Sequence, residues 1–118
     1  NKKKNSKTLI KKIITLIQDK KGYDIKIIDL KGISSLTDYF IICSSDSDPQ
    51  TRAITNHIKK DLSRDKVKPF QIEGLDYMDW ILMDYFDIVI HIFKKETREF
   101  YDIERLWGDA KIETIKND

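Results

Sequence analysis

Of the 118 residues only Cys43 is a cysteine, so the chain can form neither an internal disulfide nor a cysteine-built zinc site. Glycine occurs four times, each isolated, which leaves no loop able to cradle a phosphate with successive backbone N–H groups. The patterns G-x-x-x-x-G-K-[ST], G-x-G-x-x-G and G-x-S-x-G are all absent. There are two histidines, His57 and His91, on different predicted elements and without a spaced carboxylate motif beside either, so metal or acid–base chemistry has little to converge on. No apolar run approaches the ~20 residues that a membrane-spanning helix needs, and no membrane partner is expected.

What is present is a chain that is 36 % charged yet rich in clustered isoleucine, the composition of one globular α/β domain with a single core. A reducing cytoplasm is the natural location for it. Its net charge of +2 conceals an asymmetry. Residues 1–21 carry eight Lys against Asp19, whereas the remainder has 14 basic and 19 acidic side chains. A basic arm and helix (1–22) therefore precede an acidic body (23–110) and a short tail (111–118). The lysine run reads either as a solvated helix face or as a contact for phosphate or an acidic partner, and in the phosphate case the first helix would touch RNA. The acidic body argues against a general nucleic-acid binder.

Periodicity gives the order helix, two strands, helix, three strands, helix. In TLIKKIITLIQDKKG, Leu9, Ile10, Ile13, Ile14 and Ile17 recur at helical spacing, with Gly22 as the stop. DIKIIDL and DYFIICS read as strands, the second apolar on both faces and therefore central. Cys43 within it reads as a small buried hydrophobe. Residues 47–63 place Ala53, Ile54, Ile58 and Leu62 on one helical stripe. PFQIEG and the two halves of WILMDYFDIVIHIF supply three more strands, and ETREFYDIERLW a last helix ended by Gly108. The predicted fold is a mixed sheet of about five strands with helices mainly on one face.

The hairpin WILMDYFDIVIHIF locates the surface chemistry. With Tyr85 and Phe86 as a two-residue turn, Asp84 faces Asp87, Leu82 faces Val89 and Trp80 faces His91. Alternation then sorts Ile81, Met83, Ile88, Ile90 and Ile92 onto one aliphatic face. The other face carries Trp80, Leu82, Asp84, Asp87, Val89, His91 and Phe93, an apolar and aromatic patch rimmed by charge, as at a protein interface. Two aromatics at the turn tip, Tyr85 and Phe86, add to it. His91 reads as a hydrogen-bonded neighbour of Trp80. On the last helix Tyr101 and Trp107 read as core anchors, with Arg98 pairing to Asp102 one turn on.

SSDSDPQ, residues 44–50, admits two readings. Asp46 and Asp48, with a third acid such as Asp84 or Asp87, could hold metal ions for nucleotidyl transfer. Alternatively Ser47 caps a helix, Gln50 reaches back in a capping box, Asp48 meets the helix dipole, and Pro49 sits in the first turn.

DYFIICSSDSDPQTRAI, the EG of QIEG, WILMDYFDIVIHIF and REFYDIERLWGDA occur in an order and spacing that resembles the ribosomal silencing factor, or Iojap, family. The resemblance runs from about Asp24 to Ala110. It departs where the family often has Gly–Asn, here Ser45–Asp46, and usually has Gly, here Phe86. It implies a nucleotidyltransferase-like fold without catalytic residues, metal or cofactor. It also implies binding to the large ribosomal subunit through its fourteenth ribosomal protein, with subunit joining blocked sterically and translation damped when nutrients are scarce. The residues expected to meet that partner are Trp80, Leu82, Asp84, Tyr85, Asp87 and His91, with Arg98 and Tyr101 secondary. The same face could close a homodimer when the protein is free.

Overall fold

The computed structural model describes residues 2–116, with side chains from Ser6 onward. The lysines at 2–4, which begin the basic arm, lie outside the described side chains. In chain order the elements are α1 (Lys2–Asp19), β1 (Tyr23–Asp29), β2 (Tyr39–Ser45), α2 (Asp48–Arg64) and β3 (Gln71–Glu73). They continue with β4 (Trp80–Asp84), β5 (Ile88–Lys94), α3 (Lys95–Tyr101), α4 (Ile103–Leu106) and β6 (Lys111–Thr114).

Helix α1 buries Ile10, Ile13, Leu16 and Ile17, a stripe at 3.6-residue spacing. It closes with the N–H groups of Lys21 and Gly22 donating to the carbonyls of Gln18 and Ile17 at 3.0 and 2.9 Å. The left-handed residue there is Lys21 (φ +66°), not the glycine. Gly22 answers a different need, because a Cβ on it would stand 2.4 Å from Ile17 Cγ2. Helix α2 starts at Ser47, whose Oγ accepts from the Gln50 N–H at 3.2 Å. Gln50 reaches back as expected, but its Oε1 accepts from Asp46 N–H at 2.7 Å, one residue before the cap. Its Nε2 donates to the carbonyls of Lys20 and Lys21, so one side chain joins the start of α2 to the end of α1.

The sheet has the order β3-β4-β5-β2-β1-β6, with β2 and β5 parallel and every other pair antiparallel. The sixth strand corrects the expected tail: residues 111–114 pair with β1 along an edge that five strands would leave open. On one face, Ile27, Ile41, Cys43, Ile81, Met83, Ile88, Ile90 and Ile92 pack against α1 and α2 in the main core. Each fully buried isoleucine there contributes about 2 kcal/mol by transfer from water. Burial pushes the Cys43 thiol up to about 12, so it packs as a hydrophobe and is not a nucleophile at neutral pH.

The two long helices lie on that face as expected, while the short α3 and α4 cover part of the other. There Ile103 and Trp107 close over Ile28, Ile42, Phe93 and Phe40 in a second, smaller core. The predicted single last helix is broken at Asp102, which takes a left-handed conformation (φ +45°) and separates α3 from α4.

The β4–β5 hairpin keeps the predicted faces but not the predicted register. Trp80 pairs with Phe93, Leu82 with His91 and Asp84 with Val89. The connection is three residues, Tyr85–Asp87, closed by Tyr85 N–H to Ile88 O at 2.8 Å. Pairing is thereby shifted by two residues, an even number, so every side chain stays on its predicted face. Phe86 stands in the turn at φ +69°, the conformation that glycine adopts without strain.

Candidate interaction surface on the second sheet face

Six aromatic rings run from the interior of the second face to its rim. Phe40 meets His91 edge-on with centroids 4.4 Å apart. Phe93 stacks on Trp80 at 4.8 Å, Trp80 tilts against Tyr101 at 5.1 Å, and Phe100 meets Tyr101 edge-on at 5.0 Å. Exposure rises along the series, from 0 % at Phe93 to 52 % at Tyr101 and 81 % at Phe100. The buried end fixes the exposed one. Trp80 Nε1–H donates to His91 Nδ1 at 3.0 Å, which places the ring proton of a neutral His91 on Nε2. That Nε2 is buried without a hydrogen-bond partner among the described residues. Burial lowers the His91 pKa to about 4, so the imidazole stays neutral and accepting through the physiological range.

Between β4 and α3 the exposed end opens into a groove of about 570 Å³ walled by Tyr77, Trp80, Phe100 and Tyr101, with Asp79 and Glu96 at its rim. Gly74 forms its corner at φ +93°, and a Cβ there would meet the Trp80 carbonyl oxygen at 2.0 Å. The groove is lined by two carboxylates and no cation, although Lys94 pairs with Asp79 from outside at 3.3 Å. Leu82 and Asp84 continue the surface along β4, both half-buried. Aromatic walls with acidic rims favour a partner that presents basic and apolar side chains together.

The eight sequence-predicted contacts divide by burial. Trp80, Leu82, Asp84, Asp87 and Tyr101 present surface, and four of the five adjoin one another on β4 and its flanking turn. Tyr101 is exposed and not the core anchor expected; of that helix's residues, Ile103 is buried and Trp107 half-buried. Three others lie beneath. Tyr85 points into the main core, correcting its assignment to the turn tip, and burial pushes its phenol up to about 12. His91 is 3 % exposed.

Arg98 is buried too and pairs with Glu104, not with Asp102. Its Nε donates to Glu104 Oε1 at 2.9 Å and its Nη2 to Oε2 at 3.3 Å. Its Nη1 reaches the Asp24 carbonyl at 2.6 Å and Ser44 Oγ at 2.8 Å, so one guanidinium ties α3 to β1, β2 and α4. Desolvation pushes the Glu104 carboxyl up, but its bonds to Arg98 and then Lys26 outweigh that and hold it below the ordinary range. Asp84 and Asp87 do not face each other: Asp84 Oδ1 accepts from the Phe86 N–H at 2.8 Å and stabilises the turn. The sequence reading missed Tyr77, Asp79, Glu96 and the exposure of Phe100. The available signal was the crowding of Phe100, Tyr101, Ile103, Leu106 and Trp107 into one short segment, more apolar surface than a single helical stripe buries.

The metal reading of Asp46 and Asp48 loses its third ligand. Parallel pairing sets Tyr39 beside Ile88 and Ser45 beside Lys94, so Asp84 and Asp87 sit at the opposite end of the sheet from Asp46, roughly 20 Å away. Asp46 instead accepts from the Tyr23 hydroxyl, and Asp48 pairs with Lys94. Among the described residues no three His, Cys, Asp or Glu side chains converge.

Fold and surface together define a small α/β domain whose assembled feature is an aromatic, acid-rimmed face, held from beneath by the buried His91 and Arg98. The chain belongs to the family described as "Ribosomal silencing factor during starvation", whose profile matches residues 3–118. It is 39 % identical over 108 residues to the ribosomal silencing factor RsfS of Bacillus subtilis, covering 92 % of each chain. It is 34 % identical over 98 residues to the mouse "Mitochondrial assembly of ribosomal large subunit protein 1", covering 80 % of this chain and 43 % of that protein. A crystal structure of a Chromobacterium violaceum protein superposes with a TM-score of 0.83 at 32 % identity, covering 94 % of this chain and 92 % of the other.

Proposed function

We propose that this protein is a cytoplasmic, non-enzymatic anti-association factor. It docks on the large ribosomal subunit through the fourteenth ribosomal protein, blocks joining of the small subunit by its bulk, and represses translation under nutrient limitation. The observation that carries this reading is the aromatic series ending at Trp80 and Tyr101 beside Leu82 and Asp84, in a chain of the ribosomal silencing factor family. Trp80 and Leu82 serve as apolar anchors, Asp84, Asp87 and the groove acids attract a basic ribosomal protein, and Tyr101 closes one side. His91 and Arg98 act from beneath, as positioning residues. The basic first helix adds a minor contact with ribosomal RNA. When the protein is free, the same apolar face buries itself in a homodimer.

Light scattering of purified subunits tests this. Added protein at a few-fold excess over large subunits should lower the amplitude of joining in proportion to occupancy. Joining at full amplitude, with the protein bound or unbound, would reject the mechanism.

A further inference from the structure

A second cleft, of about 760 Å³, lies on the helix-covered side of the sheet where α2 meets β3. Lys59, Lys60 and Ser63 line it from one stripe of α2, Lys68 from the loop that follows, and Ile72 and Leu75 form its apolar floor. No carboxylate lines it. The acids nearest the three lysines in sequence are occupied elsewhere: Lys12 of α1 pairs with Asp61 at 3.2 Å and also with Asp65. The ammonium groups of Lys59, Lys60 and Lys68 are exposed and form no ion pair among the described residues. In a body that is net acidic beyond residue 21, this is a local excess of uncompensated positive charge. Residue 74 begins the loop to β4, so the cleft and the acid-rimmed groove flank one segment, Leu75 facing the first and Tyr77 the second.

We infer that the Lys59–Lys60–Lys68 cleft is a binding site for the phosphate backbone of RNA, with an unstacked base against the Ile72–Leu75 floor. Three cations without an acid neutralise successive phosphates, and an apolar floor between them accepts a base face, which an acidic peptide does not supply. The choice of RNA over an acidic protein also rests on the reading that this protein docks on the large ribosomal subunit, an RNA-rich surface. The two sites would then engage protein and RNA of one particle from either side of the 74–80 segment.

The test uses the full chain and a fluorescein-labelled 16-nucleotide single-stranded RNA, with anisotropy followed between 20 and 200 mM KCl. Lys59→Gln/Lys60→Gln/Lys68→Gln should weaken RNA binding at least tenfold at low salt and reduce the slope of log K against log salt by about 2. Lys7→Gln/Lys11→Gln on α1, which makes only the minor RNA contact, should weaken it by less than about threefold, and Trp80→Ala should leave it within about twofold, with thermal melts showing each variant folded. Equal RNA affinity of wild type and the triple variant overturns the inference, as does a loss confined to the α1 variant. Tighter binding of polyglutamate than of the RNA at this cleft overturns it in favour of an acidic protein partner. Co-sedimentation with large subunits separates the two readings. RNA binding without subunit binding sinks the docking proposal and leaves the cleft standing. Subunit binding with RNA affinity unaffected by the triple variant does the reverse.

Discussion

The two faces of the sheet are built from the same strands and obey different rules. On the α1–α2 side Ile81, Met83, Ile88, Ile90 and Ile92 of β4 and β5 are apolar and fully buried, and no charged side chain lies among them. On the α3–α4 side aromatic, imidazole and guanidinium groups are buried beside half-exposed Leu82 and Asp84, with Trp80 bonded to His91 and Arg98 to Ser44. The first face is a solution to folding alone. The second sacrifices part of that burial to hold a surface in shape, and the difference shows which residues stabilise the domain and which ones equip it.

Substitutions can break this division at graded cost. Ile90→Ala, at the centre of the aliphatic face, should lose about 4 kcal/mol in chemical denaturation, because a fully buried side chain leaves a cavity that rigid neighbours cannot fill. The fraction that remains folded should bind its partner normally. Arg98→Ala should cost about 3 kcal/mol, since it strands the Glu104 carboxylate and the Asp24 carbonyl, and Arg98→Lys should rescue little because an ammonium cannot make the two-pronged contact. If Arg98→Ala proves neutral in the same denaturation series, the second face is not held as described.

The polar face should also carry an acid-side pH dependence that the aliphatic face lacks. His91 has a folded pKa of about 4 against an ordinary 6.5, so between these values the unfolded chain binds a proton that the folded chain refuses. Stability should therefore fall as pH drops from about 6.5 to about 4, by up to ~3 kcal/mol from this group. His91→Phe should flatten that slope in melts across the window, and an unchanged slope would assign it elsewhere. Glu104, with its depressed pKa, adds stability that is present above the ordinary carboxyl pKa and lost only as pH falls through its lower folded value. The smallest effect is expected at the turn: Phe86→Gly should stabilise by about 1 kcal/mol or less, relief of the left-handed backbone being offset by the lost contact with Phe70.

The sequence disclosed the two faces because alternation along a strand is independent of how the turn is closed. It misplaced the register because a two-residue turn was assumed where Asp84 and a left-handed Phe86 build a longer one. Strand β6 was illegible for a related reason: all four of its residues are exposed, so no hydrophobic alternation marks it, and its pairing with the edge of β1 is a tertiary event. The break at Asp102 and the Arg98–Glu104 bond hid behind a helical pattern that continues across both short helices. Trp80, Leu82, Asp84 and Asp87 were legible as surface residues, whereas the burial of Tyr85, His91 and Arg98 depends on what lies above them.

The central claim is that the second face is the docking surface, and co-sedimentation with purified large ribosomal subunits tests it most directly. Wild-type protein should travel with the large subunit. A folded Trp80→Ala/Asp84→Lys variant should remain at the top of the gradient, with at least a tenfold loss of affinity. Equal co-migration of both proteins would contradict the assignment of this face.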